Sequence, residues 1–393
     1  MSKTRDLLKN TFGTSLRQSG IFLALVAIVI IFSILQPTFL SPNNLTNIVL
    51  QYSYILVLAI GMLFVIVLGQ IDLSVGSVVA LTGAISAVLV IRQGMPWWVG
   101  VLVALLVGVL VGAFQGFWVA FVGIPGFIVT LAGMMMFRGL TYNVLDNVSL
   151  SPFPKGYYNI ANGFLNGLFG GYGVDNFTLV IFAIGVVGYI VSAWRTRSEK
   201  AKYGQSVGNL WIFVVKMVII AAVVMAFAYK LASARGLPIV LIILAVLILV
   251  YGFVSQKTVF GRDVYAIGGN KTAAALSGIN VRAVSFWVYV NMGFLAGVAG
   301  VLYSARMNGA QPGAGNMFEL DAIAACFVGG ASTTGGIGRV NGALIGGLVM
   351  AVLSNGMQLM GASTSTQQIV KGAVLLLAVA FDVYNKRRSA VSA

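Results

Sequence analysis

Long apolar runs are the feature that most constrains this sequence of 393 residues. A helix needs about 20 apolar residues to cross the roughly 30 Å hydrocarbon layer of a membrane. The runs therefore predict an all-α polytopic membrane protein with about twelve transmembrane helices. They lie at residues 21–40, 48–69, 73–91, 97–121, 126–145, 177–194, 208–229, 237–256, 283–305, 319–334, 341–360 and 366–384. The run at 319–334 is the weakest, because it is short and rich in glycine.

The composition indicates the same class. Hydrophobic residues make up 59 % of the chain and charged residues 8 %, whereas soluble domains carry about 25 % charged residues. The net charge of +15 comes from short segments between apolar runs, which argues against a basic patch for nucleic acid. With one cysteine, Cys326, and no histidine, we expect neither an internal disulfide nor a zinc or haem site.

The distribution of basic residues predicts the orientation in the membrane. If the N-terminus is inside, the predicted inner segments hold 16 of the 24 Lys and Arg residues and the outer segments hold 5. Cytoplasmic loops carry such an excess of positive charge. We therefore expect both ends of the chain in the cytoplasm. Residues 1–20 would be the N-terminal segment, 21–384 the transmembrane domain and 385–393 a basic tail.

One predicted outer loop, residues 146–176, is long, aromatic and rich in glycine. A loop of this length is usually functional or disordered. Its paired Tyr157 and Tyr158 suit the docking of an extracytoplasmic partner. A solvated linker on the membrane surface is an equally good interpretation.

Glycines at four-residue spacing recur in the apolar runs. In lipid, small residues let helix backbones approach closely, and this approach supplies much of the association between helices. The spacing therefore predicts tightly packed helix pairs, with some faces used between subunits. The residues are Gly108, Gly112, Gly116, Gly293, Gly297, Gly342 and Gly346.

The motifs of common enzymes are absent from the sequence. The string GGNKT at 268–272 lacks the glycine that precedes lysine in a nucleotide-binding loop. Neither GxSxG nor HExxH occurs. We therefore expect no enzymatic activity and no cofactor in this chain. Movement of a solute across the membrane is the remaining class of function.

Few titratable residues lie in or near the apolar runs, where they are costly and usually functional. The orientation above places Asp72, in GQIDLSVGS, near the inner face and Glu319 and Asp321 near the outer face. Each would stand at a helix start, where a carboxylate caps free backbone N–H groups. Capping is the favoured interpretation, with a role in the solute path as the alternative. Arg138 is expected to snorkel or to pair with a carboxylate.

Several long blocks resemble the permease subunits of monosaccharide ABC importers, of the ribose/xylose type. The blocks are GQIDLSVGSVVALTGA, GIPGFIVTLAGMMMFRGL, GRDVYAIGGNKTAAALSGINV, ARMNGAQPGAGNMFELDAIAACFVGG, GGIGRVNGALIGGLVMAVLSNGMQL and QQIVKGAVLLLAVAFD, and they occur in the expected order. Shorter ribose-type permeases have one span where this chain has three apolar runs between 177 and 256. Two of the three runs would then be additions to a ten-helix core, as in the longer xylose-type permeases, and residues 195–236 belong to the added part.

The resemblance implies a multi-pass channel subunit of the bacterial plasma (inner) membrane that works as a homodimer with two kinds of partner. One is an ATPase with two nucleotide-binding halves, which uses the ATP, and the other is an extracytoplasmic sugar-binding protein. It also implies that the inner loop 257–282 carries coupling helices that receive the motion of the ATPase. The residues assigned to this coupling are Gly261, Arg262, Asn270, Ala273, Ala274, Ser277 and Gly278.

A neutral sugar needs only weak polar contacts along its path. Candidate residues for that path are polar groups in or between the apolar runs, and each is also explained by a helix-to-helix hydrogen bond. They are Asp72, Asn291, Asn308, Gln311, Asn316, Ser332, Thr333, Thr334 and Asn355. The main rival is a proton- or sodium-coupled carrier that uses Asp72, Glu319 or Asp321. Other rivals are an amino acid permease and a membrane scaffold without transport.

Overall fold

The computed structural model describes residues 16–205 and 207–391. Its helices are α1 (Leu16–Leu35), α2 (Pro42–Val67), α3 (Val75–Ala87), α4 (Trp97–Phe117), α5 (Gly126–Leu145), α6 (Lys155–Asn162), α7 (Asn176–Lys202), α8 (Leu210–Ala232), α9 (Ile239–Lys257), α10 (Val259–Gly269), α11 (Lys271–Leu276), α12 (Val281–Met307), α13 (Phe318–Val328), α14 (Val340–Leu359) and α15 (Thr364–Val391). A single wider π-type turn extends α3 through Val88–Arg92 and α4 through Trp118–Val122. Two short strands, β1 (Phe164–Leu165) and β2 (Leu237–Pro238), pair antiparallel.

The all-α polytopic prediction is confirmed. Nine helices of the described chain are long and apolar enough to cross a membrane, and two shorter apolar stretches lie at Gly20–Leu35 and Thr364–Ala380. The predicted span at 319–334 is the exception, because its helix, α13, has only 11 residues and ends at Val328. A glycine-rich, largely non-helical stretch follows it up to α14.

Local sequence signals set where these helices begin and end. Ser41 caps α2, because its hydroxyl accepts the backbone N–H of Asn44 at 3.4 Å, and Pro42 occupies the first helical position. Gly69 follows α2 with a φ of 83°, a conformation that favours glycine. Pro125 stands directly before α5, where its missing N–H costs nothing.

Consecutive long helices are joined so that their ends alternate between two sides of the bundle. We call the side that carries α6 the α6 side, and the side that carries α10 and α11 the α10 side. That both ends of the chain lie on one side of the membrane stays a prediction. Residues 1–15 of the predicted N-terminal segment lie outside the described residues, and the basic stretch from 385 is helical through Val391.

The centre of the bundle is α12, which packs against α2, α3 and α4. Its contact with α4 depends on the predicted glycines. A methyl group on Gly112 would lie 2.9 Å from the Cα of Val290 and 3.1 Å from the Cα of Gly293. At this separation no side chain fits between the backbones, so the predicted close packing is confirmed.

A second glycine contact joins α13 to α14. A methyl group on Gly346 would lie 2.9 Å from the Cα of Gly329, and one on Gly342 would touch the carbonyl oxygen of Gly329. The short helix α13 is thus held against α14 by backbone proximity. Its Cys326 is fully buried and its Sγ lies 3.3 Å from the carbonyl oxygen of Ala59 in α2.

The long loop between α5 and α7 is folded onto the α6 side. Leu150 forms a backbone bridge with Ala310, and Asn162 donates to the carbonyl of Ala305 at 2.8 Å. The docking interpretation is wrong for Tyr157, because this side chain is fully buried and its hydroxyl lies 2.9 Å from the Oγ of Ser304. Tyr158 is 37 % exposed. This segment is therefore an ordered cover rather than a solvated linker.

Helices α7 and α8 form a hairpin at the edge of the bundle. Both are apolar, yet few of their residues are buried inside the protein. They pack against each other, and α8 makes a limited contact with α2. An apolar cleft of about 500 Å³, lined by residues such as Phe182, Phe227 and Leu241, separates the hairpin from α9. The two additional spans are thus peripheral.

Candidate functional site

A cavity of about 330 Å³ lies between α2, α13, α14 and α15. It is at the lower end of the size range of small-molecule sites, about 300–1,000 Å³. Tyr54 lies twelve residues into α2, which is about 18 Å along the helix, so the cavity occupies the half of the bundle toward the α6 side. Its lining residues include Tyr52, Tyr54, Asn316, Phe318, Asp321, Gln358, Thr364, Gln367, Gln368 and Lys371.

An ion pair forms one part of the cavity wall. The Nζ of Lys371 on α15 lies 3.0 Å from the Oδ2 of Asp321 on α13, and the two side chains are 23 % and 17 % exposed. Because the two charges face each other, the cavity carries no net charge from them. The pair also ties α15 to the bundle, which α15 otherwise contacts little.

Aromatic rings and amides form about half of the rest of the wall, and aliphatic side chains form much of the remainder. The ring of Tyr54 lies 4.8 Å from that of Phe318 and 5.0 Å from that of Tyr303, measured between centroids. Gln358 and Gln368 have exposed side chains that line the cavity. An amide both donates and accepts hydrogen bonds. The wall therefore offers a flat apolar surface beside groups that suit hydroxyls.

The predicted path residues do not gather at one place. Of the nine, Asn316 lines the cavity. Asn355 is buried and exchanges two hydrogen bonds with Asn44, at 2.8 and 2.9 Å. Asn291 accepts a hydrogen bond from the hydroxyl of Tyr251. The others lie in loops. Asn308 accepts the backbone N–H of Phe153 at 3.1 Å. Gln311 and Thr333 are exposed, and the Oγ of Ser332 lies 2.9 Å from the hydroxyl of Thr334.

Asp72 lies in the buried turn between α2 and α3. Its Oδ1 accepts the backbone N–H of Ser74 at 2.8 Å and the hydroxyl of Ser74 at 2.7 Å, and Gln115 of α4 donates to that hydroxyl at 2.7 Å. The N-terminal cap of α3 is Ser74 rather than Asp72. The capping prediction is therefore wrong for α3 itself, because the carboxylate stabilises the turn that precedes the helix.

The other two acids lie deeper in the bundle than predicted. The segment after α12 turns inward from the α6 side, so that α13 begins within the bundle. A methyl group placed on Gly76 would touch the Oε2 of Glu319, and Asp321 pairs with Lys371. The outer-face placement of these acids is therefore wrong. Arg138 caps this inward turn, because its Nη1 donates to the carbonyls of Pro312, at 3.2 Å, and Ala314.

Helices α10 and α11 form a small surface on the α10 side. The seven residues assigned to coupling divide into two groups there. Gly261 and Ala274 are buried and pack inward, whereas Arg262, Asn270, Ala273, Ser277 and Gly278 are exposed. Leu276 is 85 % exposed beside them. This leucine gives the surface an apolar point.

The same surface is joined directly to the bundle interior. The hydroxyl of Tyr265 on α10 donates to the carbonyl of Gly338 at 2.7 Å, and Gly336 donates its N–H to the carbonyl of Val67 at 2.8 Å. A methyl group on Gly268 would lie 2.7 Å from the backbone nitrogen of Gly336. One set of contacts thus connects α10 to the end of α2 and to the stretch after α13.

Comparison with known families explains this arrangement. The family described as branched-chain amino acid transport system / permease component matches residues 44–379. The chain belongs to this permease family. The match spans α2 to most of α15, including α10, α11 and the cavity.

Individual relatives cover nearly the whole permease. The xylose transport system permease protein XylH of Escherichia coli strain K12 is 39 % identical over 93 % of this chain and 91 % of its own length. XylH of Haemophilus influenzae is 38 % identical, over 94 % and 97 %. The ribose import permease protein RbsC of Haemophilus influenzae is 35 % identical, over 95 % of each chain. No solved structure matches the permease significantly.

Sequence reasoning missed most residues of the cavity. Tyr52, Tyr54, Gln358 and the polar residues of α15 were not among the candidates. One signal was present, because Thr364, Gln367, Gln368 and Lys371 follow the i, i+3, i+4, i+7 pattern of one helix face. A polar stripe at the start of an apolar helix indicates a face that lines a polar space.

Proposed function

We propose that this chain is the membrane-spanning subunit of an ABC importer that moves a monosaccharide, xylose or a related pentose or hexose, into the cytoplasm. The observation that carries the proposal is the match to xylose permeases over more than nine tenths of both chains. The neutral, amide-lined cavity is in keeping with an uncharged substrate. ATP would be used by a separate ATPase subunit.

The exposed part of α10 and α11 is the proposed contact with that ATPase. When two nucleotide-binding halves close on ATP, they would move this surface. Tyr265 would pass the movement on through its hydrogen bond to the carbonyl of Gly338, and Gly268 through its close contact with the backbone of Gly336. The movement would in this way reach the stretch 329–339 and the end of α2. The helix α13 directly precedes that stretch in the chain, so its position against the cavity would change with nucleotide state.

The other proposed partners are a second copy of the chain and a sugar-binding protein. The sugar-binding protein would dock on the α6 side, which would be extracytoplasmic if the excess of basic residues on the opposite side lies in the cytoplasm. Sugar selectivity would lie mainly in that protein. The permease then needs only weak contacts, because a tight site would slow release.

Reconstituted transport tests the proposal. The permease is placed in proteoliposomes with the ATPase and binding protein of its own genomic neighbourhood, and uptake of labelled xylose, ribose and leucine is measured. We expect sugar uptake that requires ATP and the binding protein and that persists with an ionophore present. Uptake driven by a proton or sodium gradient without the ATPase would instead support an ion-coupled carrier that uses Asp72, Glu319 or Asp321.

A charge reversal tests the assigned contact with the ATPase. Arg262→Glu should lower ATP-driven uptake and the stimulation of ATPase activity while leaving the amount of inserted permease unchanged. Lys200→Glu is the matched control, because Lys200 is also exposed and lies at the α10-side end of α7. Equal effects of the two substitutions would show that α10 has no special role in coupling.

A further inference from the structure

The cavity between α2, α13 and α15 places polar groups beside aliphatic and aromatic side chains. Amides, a carboxylate and an ammonium group form one part of its wall. Hydrocarbon against that part would leave polar groups without hydrogen-bonding partners, which is costly. A ligand with both a polar and an apolar surface suits such a wall better than a lipid chain does.

The charges of the cavity favour a neutral ligand. Lys371 and Asp321 are already bonded to each other at 3.0 Å. An amino acid zwitterion would have to separate this pair to bind its two ends, and a singly charged solute would face a wall without net charge. A neutral ligand leaves the pair intact.

The remaining wall groups favour a ligand with many hydroxyls. The Nε2 of Gln367 donates to the carbonyl of Ala362 at 3.0 Å, so this amide is held in place with its oxygen still able to accept. The amides of Gln358, Gln368 and Asn316 add further donors and acceptors. A hydroxyl also both donates and accepts, so each sugar hydroxyl matches an amide in either orientation.

The aromatic part of the wall suits the C–H face of a sugar ring. Tyr54 is held by Phe318 and Tyr303 in a cluster of three rings. Such a cluster fixes a flat apolar face at low entropic cost. The C–H face of a sugar ring is flat and weakly polar, whereas a linear polyol has no such face.

We propose that the cavity between α2, α13 and α15 is a binding site for a neutral cyclic monosaccharide on its way through the permease. This proposal rests on the proposed function and adds the place where the sugar is held. The Asp321–Lys371 pair closes the polar wall and keeps α15 against the site. Because α13 carries both Phe318 and Asp321, a movement of α13 changes the aromatic and the polar wall together.

Protection of an introduced thiol tests the site directly. The natural thiol, Cys326, is fully buried, so Gln368→Cys provides an accessible thiol in the lining of the cavity. The full chain, assembled with its ATPase in lipid nanodiscs, is treated with a charged methanethiosulfonate reagent. We expect D-xylose to slow the labelling by the factor 1 + [sugar]/Kd for a single site. Ser365→Cys is the matched control, because Ser365 is exposed at the start of the same helix and does not line the cavity.

Each outcome decides for or against the site. Protection by D-xylose at position 368 but not at 365, with no protection by leucine or glycine betaine, supports it. No sugar protection at 368, equal protection at both positions, or stronger protection by leucine would overturn it. ATP-driven uptake by the Gln368→Cys and unmodified assemblies is measured in parallel. Normal uptake without protection removes the site and leaves the proposed function standing, whereas absence of ATP-driven uptake by the unmodified assembly removes the function itself.

Discussion

At the scale of single residues, the Asp321–Lys371 pair joins two helices that are 50 positions apart in the chain. Asp321→Asn leaves the ammonium group of Lys371 without its partner in a partly buried wall. Breaking such a pair on one side costs on the order of 2–3 kcal/mol. We therefore expect a lower melting temperature and slower ATP-driven uptake than in the unmodified permease.

The double variant Asp321→Asn with Lys371→Gln is the control for that prediction. It removes both charges and leaves two groups that can still hydrogen-bond, so it should recover most of the stability lost by Asp321→Asn alone. If the single and double variants are equally destabilised, the loss comes from the shape of the side chain and not from an unpaired charge.

Asp175 provides a prediction about pH on the α6 side. Burial alone would raise the pKa of its carboxyl group. Hydrogen bonds outweigh this effect and lower the pKa. They come from the hydroxyl of Thr178 and from the backbone N–H groups of Gly167, Thr178 and Phe177. The pKa of an Asp carboxyl group in the unfolded chain is about 3.9. A group whose pKa is lower in the folded protein stabilises the fold above about pH 3.9, and this stabilisation is lost as the pH falls through the pKa of the folded state. The loop before α7 should thus keep its protection from hydrogen exchange down to about pH 4.

The variant Asp175→Ala should lose that protection at every pH, because it removes the cap of α7, a change that costs about 1 kcal/mol. Asp146→Ala serves as the control, since Asp146 is an exposed acid on the same side that pairs with Arg92 at 2.6 Å. Loss of protection near pH 6 in the unmodified protein would contradict the direction of the pKa shift.

At this scale, sequence reasoning recognised residue types but not their partners. It singled out Arg138 and Asp321 as costly in a membrane, which the structure explains by the carbonyls that Arg138 contacts and by the ion pair of Asp321. The partners lie 50 or more residues away in the chain. No local pattern specifies which distant helix face a side chain will meet, so such pairs follow only from the packing of whole helices.

At the scale of elements, the contact between α4 and α12 depends on the absence of side chains. Gly112→Ala would place a methyl group against the carbonyl oxygen of Tyr289 and 2.9 Å from the Cα of Val290. Backbone atoms cannot turn away, so the helices must separate. Overpacking of this kind costs about 1–3 kcal/mol, which we expect as a lower melting temperature in detergent.

Gly139→Ala on α5 is the matched control for Gly112→Ala. No atom outside its own helix lies within 4 Å of a methyl group at that position. Alanine favours the helix over glycine by about 1 kcal/mol, so this variant should be as stable as the unmodified protein or more so. Equal destabilisation by the two substitutions would show that the close approach of α4 and α12 is not what stabilises the pair.

Sequence patterns predicted elements well where a helix crosses the bundle and poorly where it stops within it. The run at 319–334 is long enough to suggest a span, yet α13 begins only after an inward turn and ends at Val328. The turn is possible because Arg138 satisfies the carbonyls of Pro312 and Ala314 inside the bundle. Hydropathy counts apolar residues and does not register where backbone groups find such partners.

At the scale of the whole molecule, the apolar runs were enough to predict the class and the approximate number of helices. The cavity was not predicted, because its wall combines residues from α2, α13, α14 and α15. α15 contributes four of the polar groups and α14 only one, Gln358. Only the assembled bundle shows that these groups face one space.

The hairpin of α7 and α8 should be dispensable for folding of the rest. Its residues are mostly exposed in this chain, and an apolar cleft separates it from α9. The backbone N–H of Asp175 donates to the carbonyl of Ala232 at 3.0 Å, so the two ends of the hairpin lie side by side. Deleting residues 176–232 therefore joins Asp175 to Ser233 without stretching the chain, and it preserves the direction of every later helix because two spans are removed together.

We expect the shortened permease to insert, to purify as a folded protein and to support ATP-driven sugar uptake, with a melting temperature only modestly lower because α8 contacts α2. Deleting residues 208–229 alone is the control. It removes one span, places α9 to α15 in the opposite orientation and should abolish uptake. If the 176–232 deletion folds but transports no sugar, the hairpin takes part in transport, and the core that carries the cavity and the α10 surface is not sufficient for it.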